Sequence, residues 1–339
     1  MAWWRGEVID RACVQVYCPR RDGPPARGPA GPRRYLDIEW LLDQAQQHAE
    51  RTAYLGEAFP CFWPNVGPET LAAYLGCTLH FDEATSWADP LPVPAGCDWP
   101  DLKFDPANSY YRFIRDVTRQ AMERFAGQII VGVTDIHNGA DTLAAIRDPE
   151  QLCLDMIERP DRVREAMGFL QQFRKDRFDE NVAWTKSQGG TTTWLAAFST
   201  GAYACLQNDF IVLISPAMDK EFVLDELNAS ANGADHVAYH LDGPGEVAHL
   251  DLLLSLDNLQ AIQWVPGAGH GPQTDWLDLL RRIRQAGKSL HLYCETPAEA
   301  VQLVEELGPR GVLVQTWTRT QDEAERLVRD IERASAGRK

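Results

Sequence analysis

The sequence predicts an α/β fold: a (β/α)8 TIM-type barrel with an irregular N-terminal extension. Three observations predict it. From residue 129 onward, short apolar runs alternate with amphipathic stretches of helical length. Such runs read as strands buried on both faces, as in a parallel sheet covered by helices. Polar and titratable residues then recur just past the strands, where a parallel barrel has its active-site mouth. A doubly wound open sheet is the alternative. No GxGxxG follows the first strand, which weakens a dinucleotide-binding reading. Residues 1–339 are read as one domain, with 1–128 the extension and first elements and 129–335 the regular β/α units.

The elements follow in chain order. Residues 20–34 are a Pro/Gly/Arg loop without regular structure. Residues 36–55 read as a helix, 78–82 as a short strand, 90–106 as a proline-punctuated connection and 108–125 as a helix. Strand 129–133 precedes helices over 141–147, 149–158 and 161–186. Strand 193–197 leads through a polar segment, 203–210, to a helix over 216–230 that Ser215 can cap. Strands 236–240, 261–265, 289–293 and 311–315 then alternate with helices 246–254, 274–286, 297–307 and 321–334. The strands starting near Ile129, Thr193, His236, Ala261, Ser289 and Gly311 are expected to be parallel neighbours.

Composition narrows the function. The chain has 33 Lys and Arg against 49 Asp and Glu, a net charge of −16. That surplus argues against a nucleic-acid backbone or an anionic membrane as partner. No apolar run approaches the roughly 20 residues that cross a bilayer, and residues 1–7 lack a signal-peptide core, so the expected location is the cytoplasm. The eight cysteines are scattered, with no CxxC, and read as reduced thiols that fill core space. Cys205 and Cys294 are the two whose settings could carry more.

The richest segment is Ala238-Tyr239-His240-Leu241-Asp242-Gly243-Pro244-Gly245. A buried strand runs into a tight turn, and His240 and Asp242, two apart, project to one side. They can share a divalent metal, zinc or another, or form an acid/base pair. The structural alternative is a capped strand end with a satisfied histidine. Asp135 and His137 repeat the spacing after another strand; their alternative is loop capping and a solvated imidazole. Asp141 is read as an N-cap and His249 as packing or capping. Trp194, Tyr203, Tyr239, Gln263 and Trp317 flank strand ends, and Gln207 lies in the polar segment. They are candidate substrate contacts around one pocket.

His240-Leu241-Asp242-Gly243, Gln263-Trp264-Val265-Pro266-Gly267-Ala268-Gly269 and Phe62-Trp63-Pro64-Asn65-Val66-Gly67-Pro68 resemble the uroporphyrinogen decarboxylase-like superfamily. The resemblance spans residue 60 to the C-terminus. It implies a (β/α)8 barrel, places Asn65 at the site, and leaves two enzyme branches. One is corrinoid-dependent methyl transfer with zinc; the other is porphyrin decarboxylation. The methyltransferase branch resembles His-x-Cys-Gly here, with a second Cys near the last strand. This chain has Asp242 at the first position and Thr316-Trp317-Thr318 at the second. Cys294 could replace one ligand beside His240 and Asp242. The decarboxylase branch's N-terminal Arg-Gln-Ala-Gly-Arg is absent. The implied function is methyl transfer to a small polar substrate, with a corrinoid as substrate or carried by a partner protein. Decarboxylation and a non-catalytic binding barrel are the alternatives, and a homodimer is compatible with either.

Overall fold

Every strand that the 129–335 periodicity places after residue 230 is found in one sheet of a computed structural model that describes residues 1–22, 35–82 and 85–336. The strands are β1 (Cys13–Pro19), β2 (Thr52–Gly56), β3 (Cys61–Phe62), β4 (Leu79–Phe81), β5 (Ser86–Ala88), β6 (Ile130–Val131), β7 (Tyr203–Leu206), β8 (His236–Asp242), β9 (Ala261–Val265), β10 (Ser289–Tyr293) and β11 (Val312–Trp317). Their order in the main, seven-stranded sheet is β2-β1-β11-β10-β9-β8-β7. All neighbours pair in parallel except β2 on β1. β3 and β6 form a separate parallel pair, and β4 and β5 an antiparallel one.

Side-chain alternation divides this sheet into two faces. Val237, Tyr239, Leu241, Ile262, Trp264, Leu290 and Leu292 point one way, into a large apolar core beneath the helices. Ala238, Ala261, Leu313, Tyr203 and Cys205 point the other way. There they meet Cys13 from β1, so strands from opposite ends of the strand order share one inner cluster. Trp3 and Trp4 complete that cluster. Trp3 Nε1 donates to Leu290 O at 3.1 Å, and Ser289 Oγ donates to Trp3 O at 2.7 Å.

The expected closed ladder of parallel neighbours is not present among the described residues. Residues 193–197 are not a strand, and β7 lies in what reads as a polar segment. The reason is local. Thr192 Oγ1 donates to Ala197 O at 2.8 Å, and Leu195 N donates to Thr193 Oγ1 at 3.3 Å. Threonine hydroxyls thus compete with a ladder for the backbone, and Ala196 turns at φ 53°. The turn still links neighbours: Val133 N donates to Thr192 O at 2.8 Å, and Tyr203 N to Thr191 Oγ1 at 2.9 Å.

The helices are α1 (Ile38–Arg51), α2 (Thr70–Tyr74), α3 (Ser109–Phe125), α4 (Gly139–Arg147), α5 (Pro149–Glu158), α6 (Pro160–Thr185), α7 (Pro216–Phe222), α8 (Leu224–Asn232), α9 (Leu250–Leu254), α10 (Leu277–Gln285), α11 (Pro297–Leu307) and α12 (Gln321–Ala336). Asp37 caps α1 by accepting from Trp40 N at 3.0 Å, and the helix yields to β2 at Thr52, well before residue 55. The expected helix over 216–230 is two, α7 and α8. Those over 246–254 and 274–286 begin as 3-10 turns. Residues 20–22 lie in no helix or strand; the rest of the Pro/Gly/Arg loop, 23–34, lies outside the described residues. All eight cysteines are free thiols. No helix among the described residues is long and apolar enough to cross a membrane.

Candidate functional site

Asp135 and His137 lie on the segment between β6 and α4. His137 is buried between two carboxylates: Nε2 is 3.3 Å from Asp135 Oδ2, and Nδ1 is 3.0 Å from Asp141 Oδ2. Burial opposes the imidazolium, but the two carboxylates outweigh it and hold His137 well above its ordinary pKa. Both ring nitrogens then carry hydrogens and donate. His137 is buried between the two carboxylates and is not solvated, contrary to the loop-capping reading. Asp141 is not the N-cap of α4; Asn138 holds that position. The second Asp141 oxygen accepts from Phe210 N at 2.8 Å.

A buried chain of hydrogen bonds places Asp135. Gln207 Nε2 donates to Asp135 Oδ1 at 2.8 Å. Gln207 N donates to Asn138 Oδ1 at 3.1 Å, and Asn138 Nδ2 donates to the Glu226 carboxylate at 3.0 and 3.1 Å. Gln207 is therefore a support for Asp135, itself buried at 3 % exposure.

His240 projects to the inner face, edge-on to Trp194 with ring centroids 4.9 Å apart. Its Nδ1 is hydrogen-bonded to Gln263 Oε1. Gln263 Nε2 reaches Trp264 O at 3.5 Å, which leaves Oε1 to accept and makes Nδ1 the protonated nitrogen. His240 Nε2 is then the lone-pair position, 3.9 Å from Asp242 Oδ2 at the open strand end. Gly243 turns the chain immediately beyond, at φ 86°, a region that favours glycine.

Glu69, which no motif singles out, and Asp209, in the polar segment 203–210, complete the mouth. Glu69, just ahead of α2, has a buried Oε2 without a hydrogen-bond partner. Burial raises its pKa to about 7; His137 opposes the rise, while Asp141, Asp209 and Asp135 add to it. Asp209 is exposed at one edge, yet loss of bulk water, then Asp141, raise it to about 6. His137 and His240 both pull it back down, so Asp209 lies within electrostatic reach of both histidines. Glu246, fully buried after β8, is pushed up to about 10 by burial first, then by Asp209 and Asp141. It is a neutral acid at physiological pH and accepts from Tyr239 Oη at 3.3 Å.

Asn65 and Asp135 line a cleft of about 630 Å3 with His48, Phe62 and Trp63. Trp317 is exposed, stacks on Tyr17 at 5.3 Å and lies 5.9 Å from His48. Two expected site residues, Tyr239 and Cys294, lie elsewhere. Tyr239 points into the helix-side core, because it sits between the inward-facing His240 and Ala238. Tyr203 starts its strand, packed on Trp4 at 4.9 Å, and lines a small cavity with Asp135 and Trp194. Cys294 continues the outward parity of Leu290 and Leu292 and is buried with them, so it cannot share a metal with His240. Among the described residues, no three His, Cys, Asp or Glu side chains form a set that could hold a metal ion. His249 pairs with Asp219 at 2.7 Å, buried under the helices.

No signal in the motifs marks Glu69, because its neighbours in the site come from distant segments. No family model matches the chain, and no curated protein sequence matches it. Among solved structures, its fold is similar to that of a methyltransferase from Methanosarcina mazei, with a TM-score of 0.63, 13% identity, and coverage of 98% of this chain and 96% of that one.

Proposed function

We propose that this chain is a single-domain barrel enzyme that transfers a methyl group to a small, polar, neutral or cationic substrate. The observation that carries the reading is His240 Nε2, a free imidazole nitrogen held in orientation by Gln263 and facing Asp242 at the strand end. The likeness in fold to a methyltransferase supports the class. In this reading the acceptor's heteroatom forms the new bond to carbon as the bond between methyl and donor breaks. The donor proposed is a methyl corrinoid, free or on a partner protein. The acceptor's proton passes to His240 Nε2, and Asp242 stabilises the imidazolium. His137 stays charged and holds Asp135 and Asp141 in place.

The residues present do not fit a bound zinc: Cys294 is on the opposite face from His240, and among the described residues no three His, Cys, Asp or Glu side chains form a ligand set. No step is therefore routed through a metal. The acids at the strand ends, Asp209 and Asp242, disfavour a polycarboxylate such as a porphyrin. Among the described residues no Lys or Arg lines the cleft of Asn65 and Asp135, while the buried Arg174 lines a smaller cavity with Asp135 and Trp194. Decarboxylation of such a substrate fits the site less well.

Incubation with methylcobalamin and a panel of small thiols, alcohols and amines tests this reading. Loss of the methyl–cobalt absorbance that disappears in His240→Ala and falls strongly in Asp242→Asn is expected. Turnover untouched by both substitutions would refute it.

A further inference from the structure

A second pocket, of about 520 Å3, lies at the opposite end of the sheet from Asp242. It takes Cys13 and Gln15 from β1 and Leu313 from β11, near the beginnings of those strands. Its walls are mainly apolar, with Trp3, Trp4, Phe59, Ile130 and Phe198 the largest. The polar groups around them are mostly committed. Trp3 Nε1 donates to Leu290 O at 3.1 Å and Trp4 Nε1 to Phe198 O at 2.9 Å. The Glu57 carboxylate accepts from Arg11 at 2.8 and 2.9 Å and from Val14 N at 2.8 Å.

Gln15 is the exception. It is 1 % exposed and lines the pocket. Its Nε2 donates to Ala196 O at 2.7 Å and reaches Glu57 O at 3.5 Å. Two carbonyls around the nitrogen fix the amide's orientation, since a flip would set oxygen against oxygen. Oε1 is therefore the free end, and it is buried without a hydrogen-bond partner. A buried acceptor in that state costs free energy until something donates to it.

We propose that this pocket binds a planar aromatic molecule of one or two rings carrying one N–H or O–H donor, which Gln15 Oε1 accepts. Its size lies within the range of small-molecule pockets, as does its pattern of apolar walls around one placed polar group. Trp3 against Trp4, and Phe59 edge-on to Phe198 at 6.0 Å, supply aromatic corners for a flat ring. Arg11 and Glu57 are joined to each other, so the Glu57 carboxylate is not a free charge in the wall. The proposal does not depend on the chemistry at His240.

Calorimetric titration of the full chain with indole and with indene tests it. Indene has nearly the same shape but no N–H. Indole is expected to bind about five-fold more tightly, the effect of about one net hydrogen bond. Gln15→Leu is expected to abolish that preference. Because Gln15 also ties down Ala196, Thr200→Trp at the exposed rim is the second variant. It is expected to weaken both ligands about ten-fold or more with an unchanged melting temperature. Equal binding of indole and indene, absence of binding, or indole affinity untouched by Thr200→Trp would overturn the proposal.

Discussion

Asp141 holds the Nδ1 hydrogen of His137 at 3.0 Å with one oxygen and the amide of Phe210 at 2.8 Å with the other. One carboxylate thus fixes an imidazolium and ties the start of α4 to the turn after β7. His137→Ala removes the cation and leaves two carboxylates facing each other, Asp141 buried and Asp135 nearly so. A loss of about 3 kcal/mol is expected, read from urea denaturation.

The same ring makes stability depend on pH. His137 has a folded pKa well above its unfolded value of about 6.5. Its contribution is complete below that value and is lost as pH rises through the folded pKa. Wild-type stability should decline on the alkaline side, and His137→Ala should show a flatter alkaline limb. An identical limb in both proteins would contradict this assignment.

Glu69 acts in a different window. Its pKa rises on folding from 4.5 to about 7, so the native state holds the proton more tightly. Stability should therefore fall as pH rises from about 4.5 to about 7. Glu69→Gln cannot ionise and should flatten melting temperature against pH in that interval. A slope unchanged by the substitution would count against it.

Gln263 sets the tautomer of His240. In 15N-histidine spectra at high pH, the neutral ring is expected to be protonated at Nδ1. Gln263→Leu should give a mixture of tautomers and lower any activity that needs Nε2 as a base. A persistent Nδ1-protonated form in the variant would show that Gln263 does not set it.

Cys294 should be silent in metal binding. Cys294→Ser is expected to cost about 1–2 kcal/mol through its buried polar hydroxyl. Zinc affinity, read by competition with a chromogenic chelator, should not change. A zinc affinity lowered ten-fold would place Cys294 at a metal after all.

Period-two alternation and strand length made β8 to β11 legible, because short continuous apolar runs have few other uses in an α/β chain. The same alternation also separates Tyr239 from His240 and aligns Cys294 with Leu292, so those two placements follow from parity alone. Other features were not legible. The Thr191-Thr192-Thr193 run suits a strand by propensity, but its hydroxyls capture the backbone locally. The clamp on His137 depends on where α4 begins, and its N-cap position falls on Asn138, not on Asp141. Glu69 acquires meaning only when a segment some seventy residues upstream folds over the loop that carries Asp135 and His137.

Trp3 is tied to Leu290, a separation of 287 residues. On a ribosome, Trp3 would emerge 287 residues ahead of its carbonyl partner on Leu290, and Trp4 194 residues ahead of Phe198. During that delay both indoles are unburied, as is the inner face of each strand already made. Closing the bottom of the sheet is therefore a late event in this chain's assembly. An early segment acts as the final stopper, and its long wait is a period of exposure to chaperones and to aggregation.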